Sequence, residues 1–258
     1  MRVIGIDVAP GKGGHIYEGG DRVCSKCPEC LGEFLNGIQD DVLIAWDAPL
    51  TSCTDPDGPL IERDLTQRII EAFFRSGKCG YKAPKGISVS DYSGCSHWTI
   101  SRRMLGLPRT GPYDGSELPF TLIVRGDPPK TGRNIVEVHP ALAFWLWFRN
   151  EQPEPYWGYK GRSGRESCGK IWRHLSSRFG SLLPEDLFAN GKIPDDDELD
   201  AVSAWLLARC WLSQQNVSLV GDNQTGALLL PSDDALQQKF RDFKDKELRR
   251  RQGAGCRC

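Results

Sequence analysis

The sequence predicts an α/β fold in which a mixed sheet of five strands is flanked by helices. Three observations predict it. Short apolar runs lie at residues 2–8, 41–46 and 134–138, each carrying an acidic residue or ending beside one. Stretches with apolar residues at helical spacing separate these runs. A strongly signalled helix is expected at 195–214, and strand-type and helix-type segments that alternate in this way pack as layers around a sheet.

Each element follows from local chemistry. Residues 2–8 read as a buried strand, stopped by the Pro-Gly-Lys-Gly-Gly turn at 10–14. Gly19-Gly20-Asp21 reads as a hairpin turn between strands at 14–18 and 22–24. Leu31, Phe34, Leu35 and Ile38 share one helical face within 29–38, and the strand at 41–46 ends in Asp47-Ala48-Pro49. Residues 51–133 read as a first insertion, with helices at 60–75 and 96–107 around a Gly/Lys/Pro-rich loop at 77–86. The strand at 134–138 feeds an apolar helix opened by Pro140, and a second insertion spans 151–192.

The helix at 195–214 follows Pro194, has three Asp in its first turn and carries a stripe of Leu199, Val202, Leu206 and Cys210. A hairpin with strands at 217–220 and 227–230 follows, then a charged helix at 235–251. Residues 1–251 are therefore expected as one domain, with 252–258 as a loose tail.

Composition narrows the function. Hydrophobic residues make up 39% and charged residues 26%, an ordinary globular mixture that argues against wholesale disorder. The 33 Lys plus Arg nearly balance the 34 Asp plus Glu, so binding to nucleic acid would need a local basic patch. No apolar run has the roughly 18 residues of a membrane span. The first apolar run is broken at Asp7, too early for a signal peptide, so a cytoplasmic location is expected. In that compartment the ten Cys are expected as thiols or metal ligands.

Asp7, Asp47 and Glu137 are isolated acids within or at the end of apolar strands. Burying a carboxylate beside a core costs several kcal/mol unless it is compensated, and a divalent cation compensates it efficiently. Asp197 and Asp200, at i and i+3 on the helix at 195–214, point to one face. Carboxylates from several elements suit Mg2+ or Mn2+, and two such ions about 4 Å apart can activate water and stabilise a leaving oxygen. The simpler reading is that Asp7 and Asp47 cap turns and that residues 195–197 serve a helix N-terminus.

The order of three strands, a helix and a strand, with Asp7 closing the first strand, resembles the ribonuclease H-like fold. More closely, VIGIDVAPG, IAWDAPLT, the helix with Glu62, Arg63, Asp64 and Arg68, VEVHPALAF, DELDAVSAWLLA and GALLLP resemble a family of predicted nucleases, the domain of unknown function 429. The resemblance runs from residue 2 to residue 231. It implies a metal-dependent phosphodiesterase core with Asp7, Asp47 and Asp200 as ligands and Asp197 and Glu137 adjacent. Related members often carry a His where this chain has Asp196, which leaves the proton-shuttle role to His139 as the nearest candidate. His139 is equally placed to begin the helix at Pro140.

A nuclease needs cations for the backbone it cuts. Lys160, Arg162, Arg165, Lys170, Arg173 and Arg178 are interleaved with Tyr156, Trp157, Tyr159 and Trp172, a pattern that suits stacked bases and neutralised phosphates. The alternative is a solvated helix whose aromatics pack on the core. Arg63 and Arg68 are further phosphate candidates, against which stands a surface ion pair with Asp64 or Glu71. Lys12 lacks the spacing of a phosphate loop and reads as part of a turn.

Cys24, Cys27 and Cys30 have the C-x2-C-x2-C spacing of thiolate ligands and suggest a structural Zn2+ whose fourth ligand would be Cys53, Cys79, Cys95 or His97. Otherwise Cys24 and Cys30 serve as small buried hydrophobes. The function expected is that of a Mg2+- or Mn2+-dependent nuclease or phosphodiesterase acting on DNA or RNA. The alternatives are a non-catalytic nucleic-acid-binding or assembly module and an ATP-using phosphotransferase.

Overall fold

The structure is a computed structural model that describes residues 1–9, 13–51, 68–79, 97–108, 115–149, 158–188, 191–223 and 225–254. The side chains of residues 9, 97, 162 and 251–254 lie outside that description. So do Lys12, Cys53, Glu62, Arg63, Asp64, Cys95, Tyr156, Trp157, Cys256 and Cys258, together with residues 60–67 of the helix expected at 60–75.

The first three strands, β1 (Arg2–Ala9), β2 (Gly13–Tyr17) and β3 (Cys24–Lys26), form an antiparallel meander. The third strand starts two residues later than the turn signal suggests, so Ser25 pairs with His15. Helix α1 (Pro28–Asn36) begins on Cys27, with Pro28 in its first turn, and buries Leu31 and Leu35. It crosses over to β4 (Val42–Asp47), which lies parallel to β1. Next come α2 (Ile69–Arg75), α3 (His97–Met104), β5 (Thr121–Leu122) and β6 (Arg133–Glu137), with β6 parallel to β4.

The sheet order is β3-β2-β1-β4-β6-β5. The fold is therefore α/β with a mixed sheet, but the described sheet has six strands where five were expected. The extra strand, β5, comes from the first insertion and pairs parallel to β6 at the edge. Its two residues are too few to give an alternating pattern.

Helix α4 (Pro140–Phe148) follows β6, and α5 (Arg165–Phe179) lies in the second insertion. Helix α6 (Asp196–Leu212) is the centre of the molecule. Residues 199–208 are all buried, so the apolar stripe seen in the sequence understates its burial; a helix covered on all sides is what this pattern becomes inside a core. A hairpin of β7 (Val217–Asp222) and β8 (Gly226–Pro231) follows, touching the end of β6 through a Val138–Leu229 bridge. Helix α7 (Asp234–Ala254) continues three residues past the expected end at 251. Among the described residues no helix is long and apolar enough to cross a membrane.

Two cores follow from strand alternation. Val3, Leu43, Ala45, Val136 and Val138 face α6, whereas Ile4, Ile6, Val8, Ile44, Trp46 and Ile135 face α1 and α3. Gly5 lies on the α6 side, where a Cβ would meet the Ala201 carbonyl oxygen at 2.2 Å and the Trp205 nitrogen at 2.4 Å. Both are helix backbone, so neither can rotate away. Glycine lets α6 rest directly on β1, which brings the acidic start of the helix to the end of the strand.

Replacing Gly5 with Ala should push the helix off the strand and cost at least the ~1–3 kcal/mol typical of overpacking. Urea unfolding measures this, and a variant as stable as the parent would contradict the close-approach account.

Candidate metal centre

The register across the sheet sets the site. Asp7 pairs with Asp47 on one side and with His15 on the other, so the three residues form one row at the strand ends. By alternation Asp7 shares the α6 face with Val3, and Asp47 shares it with Leu43 and Ala45. Helix α6 supplies Asp197 and Asp200 to the same face. One ligand atom each from Asp7, Asp47 and Asp200 lie within 4.8 Å of one another, as do one each from Asp7, His15 and Asp197.

Asp200 is fully buried. The Tyr159 hydroxyl donates to its Oδ1 at 2.8 Å, and the Lys160 ammonium caps its Oδ2. Both partners come from the segment before α5. Gly161 turns that segment with φ 76°, a left-handed conformation that favours glycine, and its N–H donates to Asp196 Oδ2 at 2.9 Å. Asp196 thus anchors the Tyr159–Lys160 segment to the helix that carries Asp200. Asp195 caps α6 in a capping box with Glu198, so part of this acidic cluster does serve the helix N-terminus.

Burial, and then the charge of Asp200, pushes the Asp7 carboxyl well above the usual carboxylate range, with Lys160 opposing. The same two causes raise Asp47, where Lys160 and a hydrogen bond with Asp7 oppose them. Asp200 is raised by burial against the pull of Lys160 and Tyr159. Burial, followed by the charge of Asp200, also raises the Tyr159 hydroxyl. Burial lowers Lys160, but Asp200 and its neighbours outweigh it, so the ammonium stays charged.

Asp7 Oδ2 is buried and has no hydrogen-bond partner. An orphaned carboxylate oxygen beside two other acids fits a divalent cation, because such an ion satisfies several oxygens at once. The residues present could therefore hold a metal at Asp7, Asp47 and Asp200.

Glu137 does not join them. It is level with Trp46, one residue short of Asp47, and alternation turns it to the face of Ile135. There its Oε1 and Oε2 accept from Arg68 at 2.5 and 2.7 Å, and Oε2 also accepts from the Leu50 N–H at 3.0 Å. Arg68 further donates to Glu71 Oε1 at 2.7 Å and Thr51 Oγ1 at 3.1 Å, and it is only 2% exposed. Its guanidinium serves protein acceptors, not a substrate phosphate. The expected pair with Glu71 exists, but inside the protein and not on its surface. This network clamps the start of α2 to the ends of β4 and β6.

The remaining candidates are dispersed. Arg165 and Arg173 are exposed on α5, Arg178 donates to the Trp147 carbonyl, and Lys170 pairs with Glu166. Tyr159 packs edge-on against Phe144, and Trp172 against Phe188, so these two aromatics belong to the interior and not to a stacking platform. His139 is the N-cap of α4, its Nδ1 accepting from the Leu142 N–H at 3.4 Å.

Cys24, Cys27 and Cys30 are exposed thiols and not buried hydrophobes. Cys27 caps α1 and meets Cys30 at 2.7 Å between sulfurs, but among the described residues the three form no metal-holding group. The sequence reasoning missed His15, and it read Lys160 as a phosphate contact; the antiparallel pairing of residues 2–8 with 14–18 was the available signal for His15.

A family model described as protein of unknown function (DUF429) matches residues 5–225. The chain belongs to the DUF429 family. Its match spans every residue of the candidate centre, from Asp7 to Asp200. No curated protein and no solved structure matches the chain.

Two outcomes follow for this DUF429 protein. Arg68→Leu strands two buried carboxylates and should cost about 3–5 kcal/mol, measurable by denaturant unfolding. The raised carboxyls of Asp7, Asp47 and Asp200 bind more protons folded than unfolded. The contribution of these three groups to metal-free stability is therefore greatest below the unfolded value of about 3.9 and falls as pH rises toward the raised folded values. Thermal unfolding in chelator should show the parent losing stability relative to Asp47→Asn as pH rises from 4 to 7; a difference between the two that does not change with pH would refute the assignment.

Proposed function

We infer that this protein is a metal-dependent phosphodiester hydrolase, a nuclease, with Asp7, Asp47 and Asp200 holding Mg2+ or Mn2+. The observation that carries this reading is the convergence of three carboxylates from β1, β4 and α6, one of which, Asp7, keeps a buried oxygen with no hydrogen-bond partner. The order β3-β2-β1-β4-β6, with β2 antiparallel to its neighbours, supports a ribonuclease H-like arrangement in which acids at the ends of the first and fourth strands meet one on a helix. Membership of DUF429 is consistent with it.

A bound divalent ion would supply Lewis acidity and a water of lowered pKa. The chain's own residues do the rest. Tyr159 and Lys160 orient the Asp200 carboxylate, and Gly5 holds α6 at the depth where that carboxylate reaches the strand ends. The Lys160 side chain is 51% exposed, so the cation that binds Asp200 belongs to a residue at the solvent boundary of the site. Arg165 and Arg173 are the exposed cations of α5 that remain candidates for a nucleic-acid backbone.

The test is cleavage of labelled DNA and RNA in Mn2+ or Mg2+ by the full chain and by Asp7→Asn. Product from the parent and at least a ~100-fold loss in the variant are expected. Equal product from both, or none from the parent with either ion, would remove the hydrolase reading. Lys160→Ala should bind Mn2+ several-fold more tightly in a calorimetric titration, since it deletes the competing cation.

A further inference from the structure

The surroundings of His15 are unusual for a partly buried imidazole. Its Nδ1 is buried and has no hydrogen-bond partner. Two carboxylate oxygens, Asp7 Oδ2 and Asp197 Oδ2, each lie 4.0 Å away. That separation is too long for an N–H···O bond. It is, however, within the span of two ligands that each sit about 2.1 Å from one ion, which can be up to about 4.2 Å apart.

The orphaned atom across from it, Asp7 Oδ2, belongs to a side chain only 7% exposed. Two polar atoms with no protein partner thus face each other from paired strands. Asp197, 27% exposed, closes the third side and leaves an approach from solvent.

We propose that Asp7, His15 and Asp197 form a second cation position, next to that of Asp7, Asp47 and Asp200 and sharing Asp7 with it, which selects a transition-metal ion such as Mn2+ over Mg2+. The selectivity follows from the donor set. Imidazole nitrogen is a good ligand for first-row transition metals, whereas Mg2+ keeps to oxygen and water. The carboxylate-only position has no such preference, so the centre is asymmetric, with one position of general affinity and one of restricted affinity. The inference rests on reading Asp7, Asp47 and Asp200 as a cation site, but not on any hydrolytic activity.

Equilibrium dialysis of the full chain against MnCl2 and MgCl2, with metal analysis of the protein, tests it without an activity assay. About two Mn2+ but only about one Mg2+ per chain are expected. His15→Ala should weaken one Mn2+ by about 10- to 100-fold and leave Mg2+ binding unchanged. His15→Asp, which restores a ligand but only oxygen, should regain the second ion and lose the preference for Mn2+.

In the parent protein, electron spin-echo spectroscopy of bound Mn2+ should show modulation from a coordinated nitrogen, a signature that depends on no variant. Absence of that modulation, or the same Mn2+ stoichiometry and affinity in parent and His15→Ala, overturns the second position while leaving the first intact. Failure of the parent to bind any Mn2+ overturns both positions together, whereas two bound ions without cleavage overturn only the hydrolase reading.

Discussion

The backbone of α6 lies against β1 at Gly5 with no room for a methyl group, and the rest of the centre depends on that contact. A helix normally packs on a sheet through its side chains, about 10 Å away. Here the layer is thinned at one point, so Asp200, on a helix, reaches carboxylates that belong to strands. The helix can sit so deep only because it is apolar nearly all round beyond its first turn. Its acidic N-terminus then has to emerge at the ends of β1 and β4. Packing and chemistry are set by the same residue-level fact, the missing side chain at position 5.

The two faces of the sheet divide the acidic residues between them. On the α6 face Asp7, Asp47 and Asp200 crowd three carboxyls together, and among the described residues Lys160 and Tyr159 offset that crowding through Asp200. On the other face Glu137 and Glu71 share the Arg68 guanidinium in a buried, hydrogen-bonded network. The first set is electrostatically incomplete and the second is closed. That contrast, more than acidity itself, separates residues poised for a cation from residues that hold the scaffold together.

Much of this was readable in advance. The apolar runs that became β1, β4 and β6, the crossover through α1 and the Pro194-led helix all follow from periodicity and capping chemistry. Asp7, Asp47 and Asp200 stood out because an acid inside or beside an apolar run needs compensation. Glu137 stood out for the same reason, but its side of the sheet depends on the register of β6 against β4, and a shift of one residue would have turned it to the metal face.

His15 was hidden because nothing in Gly-Gly-His-Ile-Tyr marks it; only its cross-strand pairing with Asp7 gives it a neighbour. Lys160 looked like one of many cations in a basic stretch. Its attachment to Asp200 depends on a contact between residues forty apart, which no local pattern encodes.

The lysine on Asp200 has a consequence for how the protein comes into being. Domains whose acids or thiols have no counter-charge of their own must wait for an ion before they can fold, and chelators denature them. Here a tethered ammonium already fills part of that role. If the centre takes an ion, polypeptide maturation and ion loading would be separate events, and a newly made chain could reach its native shape during metal scarcity and be charged later, when supply returns.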